Sequence, residues 1–287
     1  MIIERFFPFV GGAETQCFQL SEEFIKKGAK VLVVTKQWEK DLPKKEKFKE
    51  GFKVIRLGAP GASRITDYLG GLHLFLFLLM NRNDYNLVYV NGGLANIFGS
   101  TAILTGKILS KKVIAKVETP GELFFSGSKA LSPKRFVHPL IKLRLLLAKK
   151  ANFYVAQTNE VKKELIEFGV KKGQIRSLPN SVDENVFKPI RNKKILRKKL
   201  GLLTDKIIVM FCGRLVQRKG LVFLFKAWKK LSQKQKKAIL VLLGSGKNQP
   251  DSIEEQLRKT VKKKNMGNIY FLGEKQKPEV AKYLKAA

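Results

Sequence analysis

Two cysteines and two histidines are all that these 287 residues carry, and that scarcity removes whole classes of chemistry. Cys17 and Cys212 stand far apart in sequence, so neither a disulfide framework nor a zinc spacing is expected, a usage that fits a reducing cytoplasm. His73 and His138 both fall in apolar, helix-like stretches, where packing or surface roles are favoured over catalysis. No Asp-x-Asp stands beside a strand end, so no metal site is expected. No run of about eighteen apolar residues occurs, so no transmembrane helix is expected. Met1-Ile2-Ile3-Glu4 also lacks the basic start and apolar core of a signal peptide.

Negative charge is scarce as well. Against 57 Lys and Arg stand 23 Asp and Glu, a net charge of +34. Residues 1–100 hold 14 basic and 10 acidic side chains, whereas residues 101–287 hold 43 and 13. Such a field suits an anionic partner, whether lipid headgroups, nucleic acid or a phosphorylated substrate, unless the lysines only solvate the surface. They are spread evenly, without helix-turn-helix, zinc or RNP signatures or interleaved aromatics. No specific nucleic-acid partner is therefore expected.

What is present is an alternation of β-branched runs and helical periods in a chain long enough for about two domains. Ile207-Ile208-Val209 leads through Gly213-Arg214 and Lys219-Gly220 into Leu221, Leu224, Phe225, Trp228 and Leu231, one face of a helix. Strand, short loop and helix together aim backbone N–H groups and a positive helix end at an anion. Arg214 offers a planar fork and Lys219 a mobile point charge, a pair suited to a diphosphate. The plainer alternative is a βα loop with solvated basic residues. Gly11-Gly12 opens another amphipathic helix through Ala13, Cys17, Leu20 and Phe24, stopped by Gly28. Strands are expected at 30–35, 52–57, 87–90, 113–117, 152–156, 175–178, 238–243 and 268–273. Thr158 should cap a helix that ends at Gly169. Gly70 to Met80 is apolar all round; with flanks that are not strongly basic, it is expected to be a buried helix rather than one facing lipid or an acceptor.

Three stretches, taken together, resemble a known family. Pro8-Phe9-Val10-Gly11-Gly12-Ala13-Glu14 matches P-x-x-G-G-x-E. Pro179-Asn180-Ser181-Val182-Asp183, with Phe187 and Pro189, follows P-N-G-V-D-x-x-x-F-x-P with Ser181 in place of glycine. Gly213-Arg214 and Lys219-Gly220 match G-R-x-x-x-x-K-G. Order and spacing are similar to those of the GT-B glycosyltransferases, specifically the retaining glycosyltransferase family four.

The resemblance implies an α/β, GT-B fold of two Rossmann-like domains facing a cleft, with an acceptor-side domain at 1–188 and a partial nucleotide-sugar-binding domain at 189–287. It implies retaining, metal-independent sugar transfer from a nucleotide-sugar donor, itself a substrate, so no cofactor is expected. The acceptor would be a glycan, a lipid-linked sugar or a small molecule. Cell-envelope polysaccharide synthesis, peripheral at the cytoplasmic membrane face and against an anionic membrane surface, would fit the charge. Arg214 and Lys219 would stabilise the departing diphosphate, which Gly11, Gly12, Gly213 and Gly246 would approach through backbone. Leu272 and Gly273 would lead to the nucleotide base. Many relatives place a histidine near the sugar where this chain has Glu118, with Thr119 and Glu122 nearby; an ion-paired role for these carboxylates is equally open.

Other departures bear on completeness. Ile2 and Ile3 are expected to be a stub of a longer first strand. The family continues past the position of Ala287 through further strands and two glutamates that contact sugar and ribose. The expectation is therefore a fragment, inactive by itself, with Ile239, Val241 and Tyr270 beside an unpaired sheet edge. A non-catalytic remnant stays open. A dinucleotide oxidoreductase would need a third glycine after Gly244-Ser245-Gly246.

Overall fold

The computed structural model describes residues 1–9, 11–125, 139–247, 249 and 251–287. Val10 of the Gly-Gly motif and His138 lie outside the described residues. The chain forms two compact units, Met1–Asn180 and Ser181–Ala287.

In the first unit α1 (Gly12–Lys26), β1 (Leu32–Lys36), β2 (Lys45–Lys47), β3 (Lys53–Leu57), α2 (Arg64–Met80) and β4 (Leu87–Asn91) come first. They are followed by α3 (Ile97–Ile108), β5 (Lys112–Val117), α4 (Glu122–Phe125), α5 (Pro139–Ala148), β6 (Phe153–Ala156), α6 (Asn159–Glu167) and β7 (Ile175–Ser177). Two ladders result, ordered β1-β3-β2 and β4-β5-β6-β7, parallel except where β2 meets β3. Ile2 joins them. It bridges Val34 on one side and Val90 on the other, with Ile2 N–H donating to Tyr89 O at 2.7 Å and Ile3 N–H to Val34 O at 3.1 Å. The short start of the chain is thus a strand between the two ladders.

Both faces of this parallel arrangement are covered, which explains the unbroken apolar runs. Ile2, Val34, Val88, Val90 and Val113 pack with Leu74 and Leu78 of α2 and with Phe98, Ala102 and Ile103 of α3. Ile3, Val33 and Val54 alternate to the other side against Phe6, Cys17 and Phe52. Thr158 caps α6, its Oγ1 accepting from Val161 N–H at 3.3 Å. Among the described non-glycine residues only Ser110 and Asn265 have positive φ, so Ser181 replaces the family's glycine without backbone strain.

Helix α2 departs from expectation. Ser63 starts it through a capping box with Thr66, and Gly70, Gly71, Leu74 and Leu78 are buried. A Cβ on Gly71 would lie 2.7 Å from Ile97 Cγ2, so this glycine sets how closely α2 and α3 pack. The opposite side is not buried: Ile65, Tyr68, Leu69, Leu72, Leu76 and Met80 are exposed, as is His73. Uniform apolarity concealed a helix with one packed face and one bare face.

The second unit contains α7 (Lys193–Lys199), β8 (Ile207–Cys212), α8 (Leu221–Lys234), β9 (Ala238–Leu243), α9 (Glu254–Lys263), β10 (Ile269–Gly273) and α10 (Lys277–Ala286). Its parallel sheet has the order β10-β9-β8. Leu221, Phe225 and Trp228 of α8 and Leu257 of α9 close one face over Leu240 and Leu242. The other face also differs from expectation. β9 is the central strand, so Ile239 and Val241 lie away from any sheet edge, buried with Ile208, Leu202, Met210, Leu272 and Ala287. Tyr270, on β10, stays exposed.

Candidate active site

Ligands of parallel α/β sheets gather at the carboxyl ends of the strands, and the site residues expected from sequence fall at those ends in both units. In the second unit three strand ends are tied together by glycine. Gly213 N–H donates to Leu243 O at 2.9 Å and Gly244 N–H to Gly273 O at 2.8 Å. Gly213 has φ 153° and Gly244 φ 138°. A Cβ on Gly244 would stand 2.0 Å from Gly213 O, so side chains are excluded where these strands emerge. Gly213, Arg214, Leu272 and Gly273 are thereby brought to one edge.

From that edge the chain runs through a short 3-10 turn, Gln217–Lys219, to Gly220 at φ 72°, which starts α8. The basic residues of this loop divide by partner. Half-buried Arg214 donates from its Nη1 to Gln249 Oε1 at 3.1 Å, a neutral partner, and it has no ion pair among the described residues. Arg218 is paired with Asp251 at 3.4 Å. Lys219 is exposed and has no ion pair among the described residues. Arg214 and Lys219 are the cations available to an anion; Arg218 is engaged.

Gly246 is placed otherwise. Its N–H donates to Glu254 Oε2 at 2.7 Å, and Ser245 Oγ donates to the same oxygen at 2.9 Å. Leu215 O and Ser252 Oγ crowd the glycine. Its N–H is occupied by a carboxylate of the chain, a role the Gly-Ser-Gly pattern does not reveal.

In the first unit Asn91 Nδ2 donates to Ala13 O at 3.1 Å, holding the start of α1, with Gly11 and Gly12, beside the end of β4. Glu118 follows β5. Its carboxylate accepts from Gln157 Nε2 at 2.7 Å, and Lys116 Nζ lies 3.1 Å from Oε1 without hydrogen-bond alignment. Lys116 also donates to Asn180 Oδ1 at 2.9 Å. Glu122 accepts from the N–H groups of Glu118 at 2.8 Å and Leu94 at 3.3 Å, stapling the β4–α3 turn to the turn after β5. Burial pushes its carboxyl up to about 7, and the negative Glu118 adds to the rise. Glu4 is likewise raised, chiefly by burial, although Asn96 Nδ2 donates to it at 2.5 Å.

Among the described residues three buried oxygens near these strand ends accept no hydrogen bond: Gln37 Oε1 after β1, Asn91 Oδ1 at the end of β4 and Glu118 Oε1 after β5, the last of which is still ion-paired with Lys116. All are acceptors, and buried acceptors without donors are costly. A ligand rich in hydroxyl groups supplies the missing kind of partner. Gln37 and Asn91 were not legible as site residues in the sequence; they stand at strand ends with no motif around them. Among the described residues no three His, Cys, Asp or Glu side chains gather as metal ligands would.

Comparison with known proteins gives the family and the fold. The model of Glycosyltransferase Family 4 matches residues 10–186, and that of Glycosyl transferases group 1 matches residues 192–287. An uncharacterized glycosyltransferase of Methanocaldococcus jannaschii is 29% identical over 140 residues, covering 48% of this chain and 32% of its own length. The chain thus spans about a third of that relative. The fold is similar to sucrose-phosphate synthase of Thermosynechococcus elongatus, with a TM-score of 0.73 and 20% identity, over 100% of this chain and 73% of that one. It is also similar to HepE of Anabaena in complex with UDP-glucose, with a TM-score of 0.68 and 19% identity, over 100% and 71%.

Proposed function

This chain belongs to Glycosyltransferase Family 4, and from that premise we propose that it serves retaining, metal-independent transfer of a sugar from a nucleotide-sugar donor to a hydroxyl-bearing acceptor, such as a glycan or a lipid-linked sugar. The observation that carries the donor half is the glycine-lined edge of β8, β9 and β10, where Arg214 and Lys219 are left available while Arg218 is paired with Asp251. A diphosphate leaving group gains negative charge as the glycosidic bond breaks. Cations held in place stabilise that charge more than they stabilise the bound donor, which is the condition for catalysis. The acceptor half rests on the buried oxygens of Gln37 and Asn91, which accept no hydrogen bond among the described residues. HepE was solved with UDP-glucose, which favours a uridine nucleotide as the first donor to try. The charge excess of residues 101–287 supports an anionic membrane surface as a further partner, with the protein peripheral at the cytoplasmic face.

The test is calorimetric titration with UDP and UDP-glucose, alongside release of UDP in the presence of chelator. Arg214→Ala and Lys219→Ala should each weaken UDP binding about tenfold or more, by loss of a charge-assisted contact, whereas Arg218→Ala stays within about twofold. Damage confined to Arg218→Ala would refute this assignment. Release abolished by chelator and restored by a divalent cation would refute metal independence, and an inverted anomeric product would refute retention. Nucleotide binding with no sugar transfer to any acceptor would favour a non-catalytic relative.

A further inference from the structure

We propose that the bare face of α2 is a membrane-docking surface that lies in the headgroup region of an anionic bilayer. The inference rests on the anionic-surface reading above and names the face that makes the contact. Ile65, Leu69, Leu72, Leu76 and Met80 recur every three or four residues and form one stripe, from 37% exposed at Leu69 to 79% at Met80. Single exposed apolar residues are ordinary, but a contiguous row marks an interaction surface. At 17 residues the helix is roughly 25 Å long, and its inner side is fixed by Leu74 and Leu78. It is built to lie along an interface, and no helix among the described residues is long and apolar enough to cross a membrane.

The surroundings select the occupant. Helix α3 packs against both α2 and α5, and Ile108 of α3 and Leu143 and Leu146 of α5 are exposed as well. Arg64, Arg82, Lys107 and Lys142 are exposed on or next to these helices. Asp67, the one acidic residue within these three helices, is ion-paired with Lys36, and exposed Asp84 follows Arg82 just past α2, so cations still outnumber free carboxylates there. Apolar residues in a row with cations at the border match an anionic lipid surface, where side chains enter the acyl boundary and cations meet headgroups. A second copy of the chain is the poorer fit, because two bodies of charge +34 repel each other.

The experiment is co-sedimentation with phosphatidylcholine vesicles, with and without phosphatidylglycerol. It compares wild type with the triple variant Leu69→Gln/Leu72→Gln/Leu76→Gln, which leaves the charge unchanged. Wild type should bind only the anionic vesicles, and the triple variant should need about tenfold more lipid or beyond, having lost three inserted leucines, at an unchanged thermal midpoint. Leu76→Trp, a single exposed change, should gain emission that brominated acyl chains quench beyond the quenching seen in wild type. No binding of wild type to anionic vesicles refutes both the anionic-surface reading and this face. Wild-type binding that the triple variant retains, or a Leu76→Trp signal untouched by brominated lipid, refutes the face alone and leaves the lysines as the anchor. Concentration-dependent dimers that the triple variant abolishes assign the face to a second copy and overturn the proposal.

Discussion

Gly244 is the position where one added methyl group should do the most damage to the donor edge. A Cβ there would stand 2.0 Å from Gly213 O and 2.8 Å from Gly213 C, both backbone atoms that no rotamer change can move. Relief requires the ends of β8 and β9 to separate by roughly 1 Å, given ordinary contact distances near 3.3 Å. Separation strains Gly213 N–H to Leu243 O and Gly244 N–H to Gly273 O, each worth about 1 kcal/mol. The φ of 138° adds about 1–2 kcal/mol for any L side chain. The total for Gly244→Ala is about 3–4 kcal/mol, beyond a hundredfold in the unfolding equilibrium. Gly220→Ala is the control: φ is 72° but nothing lies within 4 Å of its Cβ, so only the backbone cost of about 1 kcal/mol remains. Trp228 is buried in the second unit and Trp38 belongs to the first. Urea unfolding followed by fluorescence in a Trp38→Phe background therefore reads the right unit. Gly244→Ala should lower the midpoint and weaken UDP binding. A stability within about 1 kcal/mol of wild type, or a larger loss from Gly220→Ala, would refute the crowding argument.

Other predictions concern buried charge in the first unit. The folded state holds the Glu122 proton to about pH 7, against 4.5 in the free side chain, so its contribution to stability is full below pH 4.5. That contribution should fall by about 3 kcal/mol as pH rises to 7 and stay flat above. The difference between wild type and Glu122→Gln in urea midpoints should carry this slope, and a pH-independent difference would refute the assignment. Asp67→Asn should cost about 2 kcal/mol, since Lys36, 1% exposed, loses its ion pair. Adding Lys36→Met should recover most of that loss; no recovery in thermal unfolding would show that the ammonium is not what Asp67 serves.

Residues whose chemistry depends on their neighbours in sequence were legible, and those whose chemistry depends on neighbours in space were not. Gly213 and Gly220 announce a turn into a helix because a β-branched run and a helical period flank them. Thr158 announces a cap because Val161 lies three residues on. Gly246 looked like the same kind of loop glycine, yet Glu254 takes its N–H, a partner fixed by where α9 begins. Lys36 and Lys116 look like surface lysines and are buried at strand ends. For α2 the period itself was missing: with apolar residues on every side, no pattern distinguishes the packed face from the bare one. Ile239 and Val241 were placed at an edge by counting strands, whereas their cover comes from Leu202 and Ala287 on segments outside the sheet.

The insertion of Ile2 between two ladders has a consequence for the order of assembly. The segment at residues 2–3 pairs with strands from two separate parts of the chain, hydrogen-bonded to residues 34 and 89 at once. During vectorial synthesis Ile2, Ile3 and Phe6 can find β1 early, but Ile2 gains its second neighbour only after β4 has emerged. Until then an apolar strand edge stays open, and closing it is a long-range step of the kind that slows folding. Pairing of Ile2 on both sides thus waits on β4, which follows β1 only after β2, β3 and α2.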